Sequence, residues 1–254
     1  LSVNIAVALQ VAGFRVGLLD ADIWGFSVPR MLGATSRLEA NADRKIVPVE
    51  AHGIQVVSTG LLVETEETAL MWRGLMLSKA LEQFIQDVAW DPNLDYLILD
   101  MPPGTGDVQM ALSRLLPQAE MVVVTTPQKA AQKVAARVAD MARRSYMPVV
   151  GVIENMSGFT TAEGAHYDLF GTGGGEALAN DLGVPLLARG PLDPVGVAGG
   201  DEGAPVVSAH PGAPSALAII AAAKRLVELV PPADEETCTA RIAVLMEQLG
   251  KGGS

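Results

Sequence analysis

Short apolar runs, each bounded by turn residues and separated for the most part by helical stretches, restrict this chain to few architectures. The runs are Arg15–Leu19, Ile54–Ser58, Tyr96–Leu99, Met121–Thr125, Val149–Ile153 and Leu186–Ala188. The helical stretches are Ser78–Ala89, Val108–Leu115, Lys129–Ser145, Gly175–Leu182 and Ala213–Val230, with a further helix at Leu1–Gln10. Apolar runs without alternation suit strands buried on both faces. Their alternation with helices predicts an α/β fold, a mostly parallel sheet covered by helices on both sides. The 254 residues are 49% hydrophobic, enough for one such domain with a buried core. Aromatics are only 4%, so that core is Ala, Val, Leu and Ile.

The ends of those strands carry the candidate chemistry. Open parallel sheets bind ligands beyond the carboxyl ends of their strands. Asp100 closes Tyr96–Leu99 and is followed by Met101-Pro102-Pro103-Gly104-Thr105-Gly106-Asp107. This segment neither continues a strand nor starts a regular helix. A carboxylate on a rigid strand beside a movable loop is what nucleotide hydrolysis uses: the Asp holds the Mg²⁺ water shell and the loop senses the terminal phosphate. Asp20 and Asp22, at i and i+2, point to the same side of an extended chain. They are either a solvated strand end or a pair in which Asp20 serves Mg²⁺ and Asp22 orients the attacking water. Gly25-Phe26-Ser27-Val28-Pro29-Arg30 reads as a loop rather than a helix, either a phosphate-sensing switch or an ordinary connection. Asn155, after Val149–Ile153, has an amide able to pair with the edge of a purine, or to close a turn. Pro191 and Asp193, after the next strand, are placed to wall the base. Arg73, in Trp72-Arg73-Gly74, reaches phosphate or a partner, or is a plain surface residue. Gly171-Thr172-Gly173-Gly174-Gly175 lacks a Gly-Lys-Ser/Thr ending and reads as a tight helix entry. The same lack removes Gly250-Lys251-Gly252-Gly253-Ser254 as a phosphate loop.

Bulk charge narrows the partners. With 29 acidic and 18 basic residues the net charge is -11, which opposes binding to nucleic acid or to anionic membranes. No uninterrupted apolar run is long enough for a membrane span. No signal peptide is visible, and Cys238 is the only cysteine, which suits a reducing, cytoplasmic setting. The opening helix has no N-cap, and a strand and loop are expected before it, so the sequence reads as cut just where that helix begins.

Taken together, these residues resemble the Mrp/ApbC-type iron–sulfur cluster carriers, P-loop ATPases of the MinD and ParA group. The likeness runs from Leu1 to about Val230. It rests on Gly17-Leu18-Leu19-Asp20-Ala21-Asp22-Ile23-Trp24-Gly25, Trp72-Arg73-Gly74 with Ser78-Lys79-Ala80-Leu81, and the octapeptide Asp100–Asp107. Thr125-Thr126-Pro127-Gln128, Glu154-Asn155-Met156-Ser157 and Phe170–Gly175 add to it. The resemblance implies a three-layer P-loop NTPase fold over residues 1–230, lacking its first strand and P-loop; beyond it, residues 231–254 read from their own composition and spacing as a linker, a short amphipathic helix and a flexible tail. It implies ATP and Mg²⁺ as ligands, Asp22 as the hydrolytic-water residue, Asp100 as the Walker B aspartate and Asn155 as an adenine contact. Gly25 and Ser27, with Pro103, Gly104, Thr105 and Gly106, would form the two switch loops. The family's P-loop would end just before Leu1. It also implies a homodimer that carries a [4Fe–4S] cluster to client apo-proteins.

One departure stands out. The family often carries a Cys-x-x-Cys pair after the Glu-Asn-Met-Ser motif, and the matching positions here are Thr161 and Gly164. Neither supplies the thiolate that a cluster needs, and Cys238 gives one thiol per chain. The lead expectation is an ATP-hydrolysing cluster carrier or assembly factor. The alternatives are a nucleotide-switched client-binding scaffold without a cluster and a MinD/ParA-like positioning ATPase. The last would want a basic amphipathic helix or basic patches, which this acidic chain lacks.

Overall fold

The computed structural model of the chain describes residues 1–23, 25–62, 75–104 and 107–232. The stretch Trp72–Gly74, Thr105 and Gly106 of the expected switch loop, and Cys238 lie outside the described residues.

The chain opens with α1 (Ser2–Val11), β1 (Val16–Asp20), α2 (Val28–Met31), β2 (Glu39–Ala40), β3 (Ile46–Val47), β4 (Val49–Ala51) and β5 (Ile54–Val57). Then come α3 (Leu75–Gln86), β6 (Tyr96–Asp100), α4 (Asp107–Leu115), β7 (Met121–Thr125), α5 (Lys129–Arg144) and β8 (Val149–Asn155). A ribbon of β9 (Phe159–Thr160) and β10 (His166–Tyr167) leads to α6 (Gly174–Leu182) and β11 (Leu186–Gly190). The last elements are α7 (Pro194–Glu202), α8 (Val206–Ala209) and α9 (Pro214–Leu229).

The architecture is α/β, as expected from the alternation. The central strands form two groups, in the orders β4-β5-β1-β6 and β11-β8-β7. Within them every pairing is parallel except that of β4 with β5. One face packs Ile5 of α1 and Ile219 and Leu226 of α9 against Leu18, Ile98, Val122 and Ile153. On the other, α5 and α6 give Ala135, Ala139 and Leu178 to Val123 and Val152. Leu112 of α4 and Leu81 of α3 meet Ile23 and Leu99 on that same side. Helix α1 is apolar almost all round, with seven consecutive residues from Val3 to Leu9 buried, as befits a helix sunk between a sheet and two other helices.

Three expectations are corrected. Gly25–Arg30 is not all loop: α2 begins at Val28, where Ser27 takes the N-cap position and Pro29, inside the first turn, carries no N–H to waste. β6 is not buried on both faces; all five of its residues are half-buried, because it ends its strand group. The helix expected at Ser78–Ala89 runs Leu75–Gln86. The expected helix entry at Gly171–Gly175 is found, with Gly173 in the left-handed conformation at the N-cap of α6. No helix among the described residues is long and apolar enough to cross a membrane.

Candidate functional site

Parallel pairing sets the site. β1 and β6 run side by side in register, so Asp20 lies directly opposite Asp100 at their carboxyl ends. Two carboxylates on neighbouring strands repel unless a cation, a proton or hydrogen-bond donors come between them. Donors are in place for both. Ser58 Oγ, at the end of β5, donates to Asp20 Oδ2 at 2.9 Å, and the Asp22 amide donates to Asp20 Oδ1 at 3.2 Å. Ser2 Oγ donates to Asp100 Oδ1 at 2.5 Å. Asp20 is 1% exposed. Burial, with the charge of Asp100 adding to it, pushes the Asp20 carboxyl up to about 7, against the opposing pull of Ser58 and of backbone amides.

Asp100 opens into a cavity of about 650 Å³, together with Ser2, Pro103 and Gly104. The Pro102–Gly104 loop is braced from beneath. The Gln109 side-chain amide donates to the carbonyls of Pro102 at 3.0 Å and Gly104 at 2.7 Å. Gln109 is 3% exposed, so this brace is shielded from water. A second cavity, of about 440 Å³, is lined by Ser27, Arg30, Asn155, Pro191 and Asp193 among others. Asn155 lines both cavities, at the point where β8 ends.

The remaining expected residues fall differently. Asp22 and Gly25 line neither cavity; the Asp22 carboxylate accepts the Gly25 amide at 3.1 Å and so shapes the turn after β1. Asp193 borders the second cavity, but its carboxylate is committed to capping. Oδ1 accepts the Val195 amide at 3.0 Å, and Oδ2 accepts the Ser215 amide at 3.2 Å and its hydroxyl at 2.8 Å. Thr161 and Gly164 sit in the turn of the β9–β10 ribbon, where the Gly164 amide bonds the Thr161 carbonyl at 3.0 Å. Sequence reading missed Ser2, Ser58, Gln109 and Glu154. Ser58 follows an apolar run of its own, and Gln109 lies nine residues after Asp100, both weak cues; only the folded register shows what they hold.

A family model described as ParA: NUBPL iron-transfer P-loop NTPase matches residues 1–227. The chain belongs to that family. Curated relatives named iron–sulfur cluster carrier protein include one from Mycobacterium bovis, 46% identical over 216 residues, and one from Deinococcus radiodurans, 48% identical over 227. These alignments cover 83% and 89% of this chain but 56% and 64% of the relatives. The chain thus spans less than two thirds of their length. A nucleotide-binding protein from Archaeoglobus fulgidus, solved in complex with ADP, is 30% identical, with a TM-score of 0.69 over 80% of this chain and 79% of that one. MinD from Pyrococcus horikoshii, solved with Mg-ADP, is 21% identical with a TM-score of 0.68 over 91% and 90%, a likeness of fold. The chain of this family therefore has the α/β fold of the P-loop NTPases, with a mostly parallel sheet between two helical layers.

Proposed function

We propose that this chain is the nucleotide-binding part of an ATP-dependent iron–sulfur cluster carrier or assembly factor, with residues 1–230 as its ATPase-type domain. The observation that carries the reading is the register pair of buried Asp20 with Asp100, of which Asp100 lines a cavity that Asn155 shares with the one bordered by Pro191. The donor set fits a hydrated Mg²⁺ and a nucleotide. The two carboxylates and the Ser2 and Ser58 hydroxyls are oxygen ligands, as Mg²⁺ prefers, and Asn155 offers both a donor and an acceptor to a base. Bound Mg²⁺ neutralises charge on the phosphates. Asp100 would hold the metal's water shell, Asp20 would support it from the buried side, and Asp22 would orient the attacking water. Pro102–Gly104 and the turn from Gly25 to Ser27 would then order around the terminal phosphate and relax after hydrolysis. The family resemblance extends this to a homodimer that delivers a cluster to client apo-proteins.

The cluster is cargo, and the ribbon does not fit it by the family's usual ligands. Its turn carries Thr161 and Gly164, which provide no thiolate. This favours, as a second reading, a nucleotide-switched scaffold that binds clients without a cluster. Iron content after anaerobic reconstitution with iron and sulfide separates the two: about four irons per dimer supports carriage, and none supports the scaffold. The nucleotide reading is tested by titrating ADP into the full chain with and without Mg²⁺. The expected result is Mg²⁺-enhanced binding that Asp100→Asn weakens roughly tenfold, about 1.4 kcal/mol. Binding that is indifferent both to Mg²⁺ and to Asp100→Asn would refute the role given to the aspartates.

A further inference from the structure

Glu154 is a carboxylate with no exposure at all, in the residue just before Asn155. Adjacent residues on a strand point to opposite faces, so Glu154 turns away from the cavities that Asn155 lines. Its oxygens are nonetheless fully engaged. Oε1 accepts the Ser157 hydroxyl at 2.6 Å, and Oε2 accepts the Gly175 amide at the start of α6. Arg189 of β11 lies 3.8 Å from Oε1 and also pairs with Glu176. Gly175 packs so closely that a Cβ there would lie 2.5 Å from the Glu154 Cβ. Between Asn155 and Ser157 stands Met156, whose φ of +56° is a left-handed conformation that a non-glycine residue adopts at a cost. The Ser157 amide, bonded to the Gly190 carbonyl at 2.9 Å, closes the turn onto β11. A strained turn is thus gripped on one side by a buried charge and on the other by a neighbouring strand.

We propose that Glu154 is a positioning residue: it holds the Asn155–Gly158 turn in its strained conformation and thereby aims the Asn155 amide at the nucleotide base. The inference rests on the base-contact reading of Asn155 given above. Charge is central to it. A carboxylate accepts from Ser157 and Gly175 at once, whereas a glutamine of the same size turns an N–H₂ group toward one of those two donors.

The test compares ADP and GDP binding by calorimetry for the full chain and its variants, alongside amide exchange at Ser157 and Gly175. Glu154→Gln is expected to lower the preference for ADP over GDP roughly tenfold, matching Asn155→Ala, and to speed exchange at both amides. Ser157→Ala removes only the hydroxyl and is expected to lose part of the preference; it decides the matter if Glu154→Gln does not fold. Faster exchange in Glu154→Gln with the preference intact would overturn the proposal and leave the reading of Asn155 standing. A native chain that binds both nucleotides equally, or neither, would instead overturn the base contact, and base selection by Glu154 would fall with it. Unchanged exchange would overturn the grip on the turn itself.

Discussion

Asp20 shows how a single side chain can be tuned by its place in a sheet. It is buried, faces Asp100 across the strand pair, and has a carboxyl raised to about 7, with burial as the main cause. The folded state therefore binds its proton more tightly than the unfolded chain does. With that sign, the contribution is fully present below the ordinary carboxylate range and is lost as pH rises from about 4 to about 7. A shift of this size corresponds to something of the order of 4 kcal/mol. Without Mg²⁺, the native chain should thus lose stability to urea across this window, and Asp20→Asn should flatten the loss. Equal slopes for the two proteins would show that Asp20 is not the group responsible. A cation placed between the carboxylates would favour the ionised form, so added Mg²⁺ should shrink the same slope in the native chain.

Among the secondary-structure elements, two helices that border the second cavity are tied together by one carboxylate. Asp193 caps α7 through Val195 and fastens the first turn of α9 through Ser215. Its place near Pro191 made it a candidate base contact in the sequence, and the fold shows it occupied with two helices. Asp193→Ala should cost about 2 kcal/mol, the sum expected for two lost cap interactions, and Asp193→Asn should cost less because the amide oxygen still accepts. Denaturant melts of the two variants settle this; equal costs would mean that the caps are not what matters. Helix α2 teaches a related lesson. Four residues long, it carries too little periodicity to be read in advance, and it is α7, packed against it, that gives it a reason to form.

For the molecule as a whole, the salient feature is that, among the described residues, β6 and β7 are each the last strand of a group. Leu97, Leu99, Met121, Val122 and Val124 line one cavity of about 230 Å³ between those strands. Ile5 and Leu226 border it from one helical layer and Leu112 and Leu116 from the other. Free strand edges leave backbone groups without ladder partners. The free-edge amides of β6 and β7 should therefore exchange roughly a hundredfold faster than the paired amides of β1 and β8, measured residue by residue. Comparable protection across all four strands would mean that the two groups are joined in solution. Asp100 and Thr125 lie at the carboxyl ends of these two strands, so the order of this region bears directly on the candidate site.

The sequence by itself determined the class of fold and the identity of the strand-end residues, because burial on both faces and βα alternation leave a one-dimensional imprint. Asp20, Asp100 and Asn155 each follow an apolar run, and a ligand site at the carboxyl ends of parallel strands follows from that alone. The tertiary structure decided which of them meet. Register places Asp20 opposite Asp100, a relation between residues eighty positions apart that no local pattern encodes. It also decided which polar side chains are engaged elsewhere. Asp193 is committed to helix caps, while Glu154, quoted in the sequence only as part of a motif beside Asn155, became the buried anchor of that loop. A side chain's type states what it can bond to; only the packed chain determines which partner lies within reach, and whether water is there to compete.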